Sequence, residues 1–585
     1  MDILTNPVFT IAFFDKMKML IQFDSAQNNV IKNFLIYNYY IFLSVLFIAL
    51  AASFALSFGS ILAEARKISG RSWFWALMVF NAALLLRFFY IAHHPQIFYD
   101  EVTFIETAEN YCKYGINAQN YIGPVRNEFL ICSTGWPFLI SLIFKITGIN
   151  IQGAFYLSAI LSSLTTILVF FAVSMWLGDE KAGLWSSLIY AVYPVYLRIA
   201  GSSAMETPSV FFIFLTILAF GIYFRQQKTR LLYFSFFCLA YTLNIRQEAF
   251  MTLLPLFLLF FLLFNPNLKK ELGRIHIYIC LLFTAIFLIP PSTASIYGIS
   301  TGFYYFYETT EMIQSHILHN IQYNLTYWLS NRIQPLSVLL LALFGFSAAW
   351  KFNKKFCGYF AFWFISLYVF YTINPSCDFS SLITLDSWRS VSHLIIPLVI
   401  FSGYGVSAII QILGVNYPKL KPAAILLLLI SVFIIPLQFR DFIQHKTIYA
   451  QENLFIHHMS RQVPKESRII VDGGIQSNMW ESFMSQFSYT SQAAGKHYDI
   501  DPATPMTSRR MFRDLYKWKN LEHRPVFLYL TNVNLADIST KYVWYFEHLE
   551  MKLAGGFGIR RNKKSFMIYE ITGVKDIPYV EGSLQ

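Results

Sequence analysis

Long apolar runs separated by short polar breaks dominate this chain. Twelve can be drawn: 37–62, 72–93, 151–177, 181–199, 206–224, 231–246, 247–264, 275–293, 333–350, 356–373, 390–413 and 422–439. A helix rises about 1.5 Å per residue, so about 20 apolar residues cross a hydrocarbon core of about 30 Å. The pattern predicts a mainly α, polytopic membrane bundle of about 12 transmembrane helices. Residues 1–36 form an N-terminal segment carrying Asp15, Lys16, Lys18 and Asp24. They show no apolar core before a small-residue cleavage site, so no cleaved signal peptide is expected. Residues 8–23 are a candidate interfacial helix. Beyond about 440 the apolar runs stop, and 441–585 read as a small α/β domain. Arg468–Asp472, 525–530 and 565–570 are expected strands, and 454–462 and 508–518 expected helices. Gly473-Gly474 after the first strand reads as an ordinary turn. The membrane domain is thus 37–440.

Three connections break the simple pattern. The first, 94–150, has a polar part with Asp100, Glu101, Glu106 and Glu109, then an apolar stretch from Trp136 to Gly148. That stretch is too short to span and is expected along the interface or dipping into it. The second, 294–332, carries Tyr304, Tyr305, Tyr307, Tyr323, Tyr327 and Trp328. Such aromatic density fits either an interfacial belt or a lid over a site. The third is Leu231 to Phe264, which is too long for one crossing and short for two. Two short helices are expected, with Arg246 and Glu248 at a sunken turn. Charges placed there must face a wet cavity or each other, because a charge at mid-helix costs about 2.5–3.5 kcal/mol.

Composition agrees with a membrane protein. Of 585 residues 56% are hydrophobic and 13% charged, against about 25% charged in soluble domains. The net charge of +12 does not require nucleic acid as a partner, because the basic residues concentrate in alternate short loops. Those loops are 63–71 (Arg66, Lys67, Arg71), 178–183 (Lys181), 225–230 (Arg225, Lys228, Arg230), 265–274 (Lys269, Lys270, Arg274), 351–355 (Lys351, Lys354, Lys355) and 414–421 (Lys419, Lys421). By the positive-inside rule that side is cytoplasmic. The chain is then an integral protein of the plasma (inner) membrane, with the acid pair, the long loops and the C-terminal domain extracytoplasmic. Cys238, Cys280 and Cys357 fall in apolar runs and read as small apolar residues. Cys112 and Cys132 share the first outer loop and are either a disulfide or two free thiols.

The candidate chemistry gathers at the outer ends of the runs: Arg87, Asp100, Glu101, Glu206, Arg246, Glu248, Asp386 and Arg389. A carboxylate can take a proton from an acceptor hydroxyl. Arginines can hold a phosphate through charge-assisted, often bidentate bonds. Base and phosphate clamp in one leaflet fit transfer of a group from a lipid-linked phosphate. Each residue also has a plainer reading. Arg87 can neutralise an acid in the bundle, and Glu206 can favour a helix start. Arg246 and Glu248 can be a structural pair, Asp386 a loop charge, and Arg389 a snorkelling side chain. His93-His94 with Asp100 and Glu101, or His316 with His319, offer incomplete ligand sets for a divalent cation. A divalent cation is thus a candidate cofactor, and the sequence points to no other. Asn324-Leu325-Thr326 is a glycosylation triplet that also arises by chance.

Several stretches, in order, resemble the GT-C superfamily of integral-membrane glycosyltransferases, particularly its protein O-mannosyltransferase and lipid A aminoarabinose transferase branch. They are Leu86-Arg87 through Tyr99-Asp100-Glu101, Ala108 and Tyr114-Gly115, then Gly135-Trp136-Pro137 to Gly148. Gly178-Asp179 to Leu184, Tyr193-Pro194 and Met205-Glu206 come next, followed by Leu239 through Arg246-Gln247-Glu248 to Leu254-Pro255 and by Trp388-Arg389 to Pro397 and Gly403. The likeness covers about 86–410. It implies a polyprenyl-phosphate-linked sugar donor, an inverting transfer with Asp100 as base, and Arg246 and Arg389 on the donor phosphate. Glu101 would help place the acceptor, which could be a protein, lipid or glycan, or neighbouring cations. Two departures stand out. The aminoarabinose branch has a lysine-glycine pair near the position of Arg246-Gln247, and the run 37–62 looks extra. The rival readings are a secondary transporter of an envelope metabolite, which would also use intramembrane charges, and a ligase or polymerase of lipid-linked glycans. A transporter should show repeat symmetry, and the sequence shows none.

Overall fold

In a computed structural model the described residues are 25–93, 98–119, 133–300, 315, 317–322, 334–373, 392–444, 459, 462–464, 466–472, 494–498, 505–534, 545–559 and 564–575. The first helix, α1 (Ser25–Ala65), starts ahead of the apolar run predicted at 37. At about 1.5 Å per residue it is about 60 Å long, twice a hydrocarbon core. Residues 25–34 are exposed or half-buried, and close packing starts at Leu35 and Ile36, where the Ile36 carbonyl accepts from the Asn117 N–H (2.8 Å). Residues 8–23 lie outside the described residues.

The expected runs are helical almost throughout, but fewer of them are long straight spans than predicted. Helix α2 (Gly70–Leu85) continues as a π-helical turn, Leu86–Tyr90. The first outer connection folds into α3 (Phe98–Tyr114) and α4 (Gly135–Thr147). Helix α5 is Ile151–Leu177. The run 181–199 breaks into α6 (Glu180–Val192) and α7 (Pro194–Ile199). Tyr193 before Pro194 is extended (ψ 126°), as the proline ring demands of its predecessor. Next come α8 (Glu206–Gln226), α9 (Thr229–Leu243) and α10 (Gln247–Phe264), which confirm the two short helices around Arg246. The short α11 (Leu268–Leu272) precedes α12 (Ile275–Phe287) and α13 (Ile289–Ser300), which bend by 40° and carry the helix into the expected loop 294–332. Pro290 and Pro291 fit the first turn of α13, where no intrahelical N–H is needed. Helices α14 (Leu336–Trp350), α15 (Lys354–Ile373), α16 (Ile395–Asn416), α17 (Lys421–Gln438) and α18 (Arg440–Gln444) follow.

Among the described residues seven helices are long and apolar enough to cross a membrane, or eight if the bent pair counts as one span. The chain is a multi-pass membrane protein. The helices α4, α9 and α14, with Thr252–Phe264 of α10, are apolar but shorter than a full span. Helix α8 is central: 89% of its apolar window is buried, against 17% for α2 and for α17. Small residues set the tightest helix contacts. A Cβ on Gly345 of α14 would overlap the Phe401 carbonyl of α16, and one on Gly403 would overlap Ser186 of α6. Backbones approach this closely in membranes because packing, not water exclusion, holds helices together there.

After α18 a five-stranded sheet forms, in the order β2-β1-β3-β5-β4. Its strands are β1 (Arg468–Asp472), β2 (Ala494–Tyr498), β3 (Val526–Asn534), β4 (Leu549–Ile559) and β5 (Lys564–Val574). Strands β2, β1 and β3 are parallel, and β5 and β4 join antiparallel. Helix α19 (Pro505–Tyr516) lies in the crossover to β3 and packs Met511 and Leu515 against Leu528, Leu530 and Ile571. This is the α/β unit expected, with two strands the sequence reading missed. Strand β4 holds Gly555 and Gly556 at a register shift, so it lacks clean alternation. Residues 454–458 of an expected helix, and Gly473-Gly474, lie outside the described residues.

Candidate active site

At one end of the bundle, α3, the start of α4, the loop before α8 and the turn between α9 and α10 close on one another. The turn is held first. Asn244 ends α9 and donates from Nδ2 to the carbonyls of Ala240 (2.9 Å) and Phe287 (3.1 Å), while its Oδ1 accepts from the Tyr39 hydroxyl (3.3 Å). The Asn244 carbonyl accepts from the Gly135 N–H (2.8 Å), and the Tyr241 hydroxyl donates to the Gly135 carbonyl (3.0 Å). A Cβ at Gly135 would lie 2.6 Å from the Asn244 oxygen, so the close approach requires glycine.

Arg246 caps the start of α10 and is buried beside Glu206, the first residue of α8. Its Nη1 lies 3.6 Å from Glu206 Oε1, with side-chain exposures of 3% and 0%. Arg246 thus has Glu206 as an ion-pair partner, one its sequence position did not suggest. The Glu248 side chain lies outside the described residues. Two helix N-termini, those of α8 and α10, converge on this pair. Their partial positive charges and the guanidinium make the spot favourable to an anion, and Glu206 neutralises part of it.

Glu101 is buried on α3. Its Oε2 accepts from the Ser203 N–H (2.7 Å) and the Ser203 hydroxyl (2.9 Å). The Ser203 carbonyl in turn accepts from Trp136 Nε1 (2.5 Å). Glu101 therefore ties α3 to the loop that launches Glu206. Asp100 precedes it in the first turn of α3; the Asp100 side chain lies outside the described residues, as do Asp386 and Arg389. His393, four residues after Arg389, is buried with Nε2 2.8 Å from the Ser209 hydroxyl of α8. The Tyr196 hydroxyl of α7 donates to the Ser392 carbonyl (2.7 Å). The chain following Arg389 thus packs against α7 and the first turn of α8.

Arg87 sits in the π-helical turn, fully buried. Nε donates to the Ser162 hydroxyl (2.8 Å), and Nη1 to the carbonyls of Ala191 (3.1 Å) and Ala83 (3.3 Å). Tyr190 lies with its ring centroid 5.8 Å from the guanidinium. Nη2 is buried without a hydrogen-bond partner among the described residues. No acid neutralises Arg87 there, and the contacts join α2 to α5 and α6. Of the histidine candidates, His93 packs against Tyr156 and Phe88, while His94 and His316 lie outside the described residues. Among the described residues no group of three or more His, Cys, Asp or Glu is arranged to hold a metal ion. Cys112 is a free, half-buried thiol; Cys132 lies outside the described residues. Ser203, Trp136 and Asn244 are the members of the site that sequence reasoning missed. Their polar contacts are long-range, and only the run Gly201-Ser202-Ser203-Ala204 before Glu206 hinted at a loop aimed at a helix start.

Residues 134–293, the stretch carrying Trp136, Ser203, Glu206 and Arg246, match the family model of dolichyl-phosphate-mannose-protein mannosyltransferases. An uncharacterized protein of Aquifex aeolicus (strain VF5) is 25% identical over 206 residues, which span 34% of this chain and 40% of that relative's length. Among solved structures, ArnT from Cupriavidus metallidurans in the apo state aligns with a TM-score of 0.54 at 10% identity, over 85% of this chain and 97% of ArnT. ArnT bound to undecaprenyl phosphate aligns with the same score at 11% identity, over 85% of this chain and 98% of ArnT. The chain therefore has an ArnT-like GT-C fold.

Proposed function

We propose that the chain is a glycosyltransferase that moves a sugar from a polyprenyl-phosphate donor to an acceptor hydroxyl at the extracytoplasmic face of the plasma membrane. One observation carries this reading. In a GT-C fold, a buried arginine lies where two helix N-termini converge, at the end of the bundle where α3 begins with Asp100 and Glu101. ArnT, which shares the fold, has been solved with undecaprenyl phosphate; a lipid phosphate here would find the Arg246 guanidinium.

In the proposed reaction Asp100 takes the proton of the acceptor hydroxyl. The freed oxygen attacks the anomeric carbon as the bond from that carbon to the phosphate oxygen breaks, inverting the centre. The leaving lipid phosphate carries the negative charge. Arg246, held by Glu206, would balance it together with the α8 and α10 N-termini, and Arg389 is a further candidate. Glu101 fixes the loop under Glu206, so within the acid pair it positions while Asp100 reacts.

Mass analysis of envelope glycans from cells with the wild-type protein, without it, and with Asp100→Asn tests this. A base contributes about 10²–10⁴-fold, so Asp100→Asn should reproduce the glycan loss of the deletion while the protein stays folded in the membrane. An unchanged glycan profile in the deletion would overturn the transferase reading. A normal profile in Asp100→Asn alone would overturn the choice of base.

A further inference from the structure

A second charged site lies at the other end of α8 and α9, where the basic loops are. The loop after α8 and the start of α12 enclose a groove of about 770 Å³ lined by Lys228, Thr229, Arg230, Arg274 and His276, among others. Two helices begin here, α9 at Thr229 and α12 at Ile275, and the Tyr233 hydroxyl to His276 Nδ1 contact (3.0 Å) joins them. Neither is capped by a side-chain oxygen. The cap residues are Lys228 and Arg274, and neither side chain accepts from a first-turn N–H. Helix starts ordinarily carry Ser, Thr, Asp or Asn at that position. A cation there adds to the positive end of the helix dipole, and here two such ends share one groove.

The protein compensates only part of this charge. Arg274 Nη1 pairs with Glu271 Oε1 (2.5 Å), whereas Lys228 Nζ (3.3 Å) and Arg230 Nη2 (2.7 Å) both reach the neutral Ser60 hydroxyl on α1. The guanidinium of Arg230 keeps further donors. The groove also borders lipid. Ile275 is 66% exposed, and Tyr278 and Leu282 on the next turns of α12 are exposed as well, so hydrocarbon begins within a turn of the cations. We infer that this groove binds the phosphate of an anionic lipid headgroup, with the N-termini of α9 and α12, Lys228 and Arg230 as its donors. It lies at the opposite ends of α8 and α9 from the Glu206–Arg246 pair and is independent of the proposed transfer reaction.

The test uses the full-length protein purified in detergent. Dioctanoyl phosphatidic acid, dioctanoylglycerol and inorganic phosphate are titrated separately, with affinity read by native mass spectrometry and by the shift in thermal midpoint. Arg274 is left in place, because removing it would strand the buried Glu271. The site variant is Lys228→Gln/Arg230→Gln, and the charge-matched control is Lys351→Gln/Lys354→Gln in another basic loop. Phosphatidic acid should bind the wild type, the site variant should bind it about tenfold or more weakly, and the control should match the wild type. Dioctanoylglycerol should produce no shift. Equal weakening in both double variants, or none in the site variant whose midpoint without lipid matches the wild type, would overturn the site. Inorganic phosphate stabilising as strongly as the lipid at equal concentration would overturn the lipid source.

Discussion

Arg246 and Glu206 are each nearly or fully buried and form an ion pair 3.6 Å apart. Removing one partner of such a pair leaves an uncompensated charge and costs about 3–5 kcal/mol, whereas replacing both with apolar groups can cost far less. Arg246→Leu and Glu206→Leu should each lower the thermal midpoint strongly in detergent, and the double variant should recover part of the loss. Additive losses would show that the 3.6 Å contact carries no coupling. Glu101 makes a separate prediction. Glu101→Ala strands the Ser203 N–H and hydroxyl, each worth about 1–3 kcal/mol when left buried and unpaired. It should therefore destabilise the fold, while Asp100→Asn should not. All three residues could be picked out in the sequence as charges at the ends of apolar runs. Which carboxylate belonged to which partner could not, because Glu101 finds Ser203 and Arg246 finds Glu206 across long chain separations. Sequence position pointed only to a wet cavity or to Glu248, two residues away.

Among the elements, α16 shows how packing depends on what a residue lacks. Gly345 meets the Phe401 carbonyl, and Gly405 meets the Leu341 carbonyl, so α14 and α16 approach backbone to backbone. Gly345→Val or Gly405→Val should force them apart, and size-exclusion chromatography should show aggregated or low-yield protein. Leu427→Ala on lipid-facing α17, a residue 65% exposed, should leave the profile unchanged. A second element junction is electrostatic. Glu180 accepts from the Ser69 N–H (3.0 Å), the Ser69 hydroxyl (2.5 Å) and the Ser72 hydroxyl (2.6 Å), joining the start of α6 to the start of α2. Burial pushes its carboxyl up, but these bonds prevail and hold it below the ordinary value. A depressed folded-state value contributes stability above the unfolded one and loses it as pH falls through the folded value. The midpoint gap between wild type and Glu180→Gln should therefore be present at pH 7 and close as pH drops below about 4. The break at Tyr193-Pro194 was readable in principle, since proline dictates its predecessor's conformation. Hydropathy ignores that rule and merged α6 with α7.

For the molecule as a whole, orientation follows from charge. If the basic loops face the cytoplasm, a cysteine replacing Lys419 should react with an impermeant thiol reagent only after the cells are opened. A cysteine replacing Lys575, at the end of β5, should react in intact cells. The reverse pattern would place the proposed active site on the wrong side for an extracytoplasmic donor. The sequence by itself determined the membrane class, the order of the apolar helices, the paired short helices around Arg246 and the existence of an α/β unit after about 440. Those properties are written locally, in run length, hydropathy and turn residues. Tertiary structure decided the rest. It showed that Arg246 meets Glu206, that Glu101 is bound to a loop while Arg87 sits in a π-helical turn with no acid among the described residues, and that two uncapped helix starts share one basic groove. Each is a meeting of segments far apart in the chain, and no local periodicity encodes such a meeting. Close approach through glycine and burial away from water bring it about.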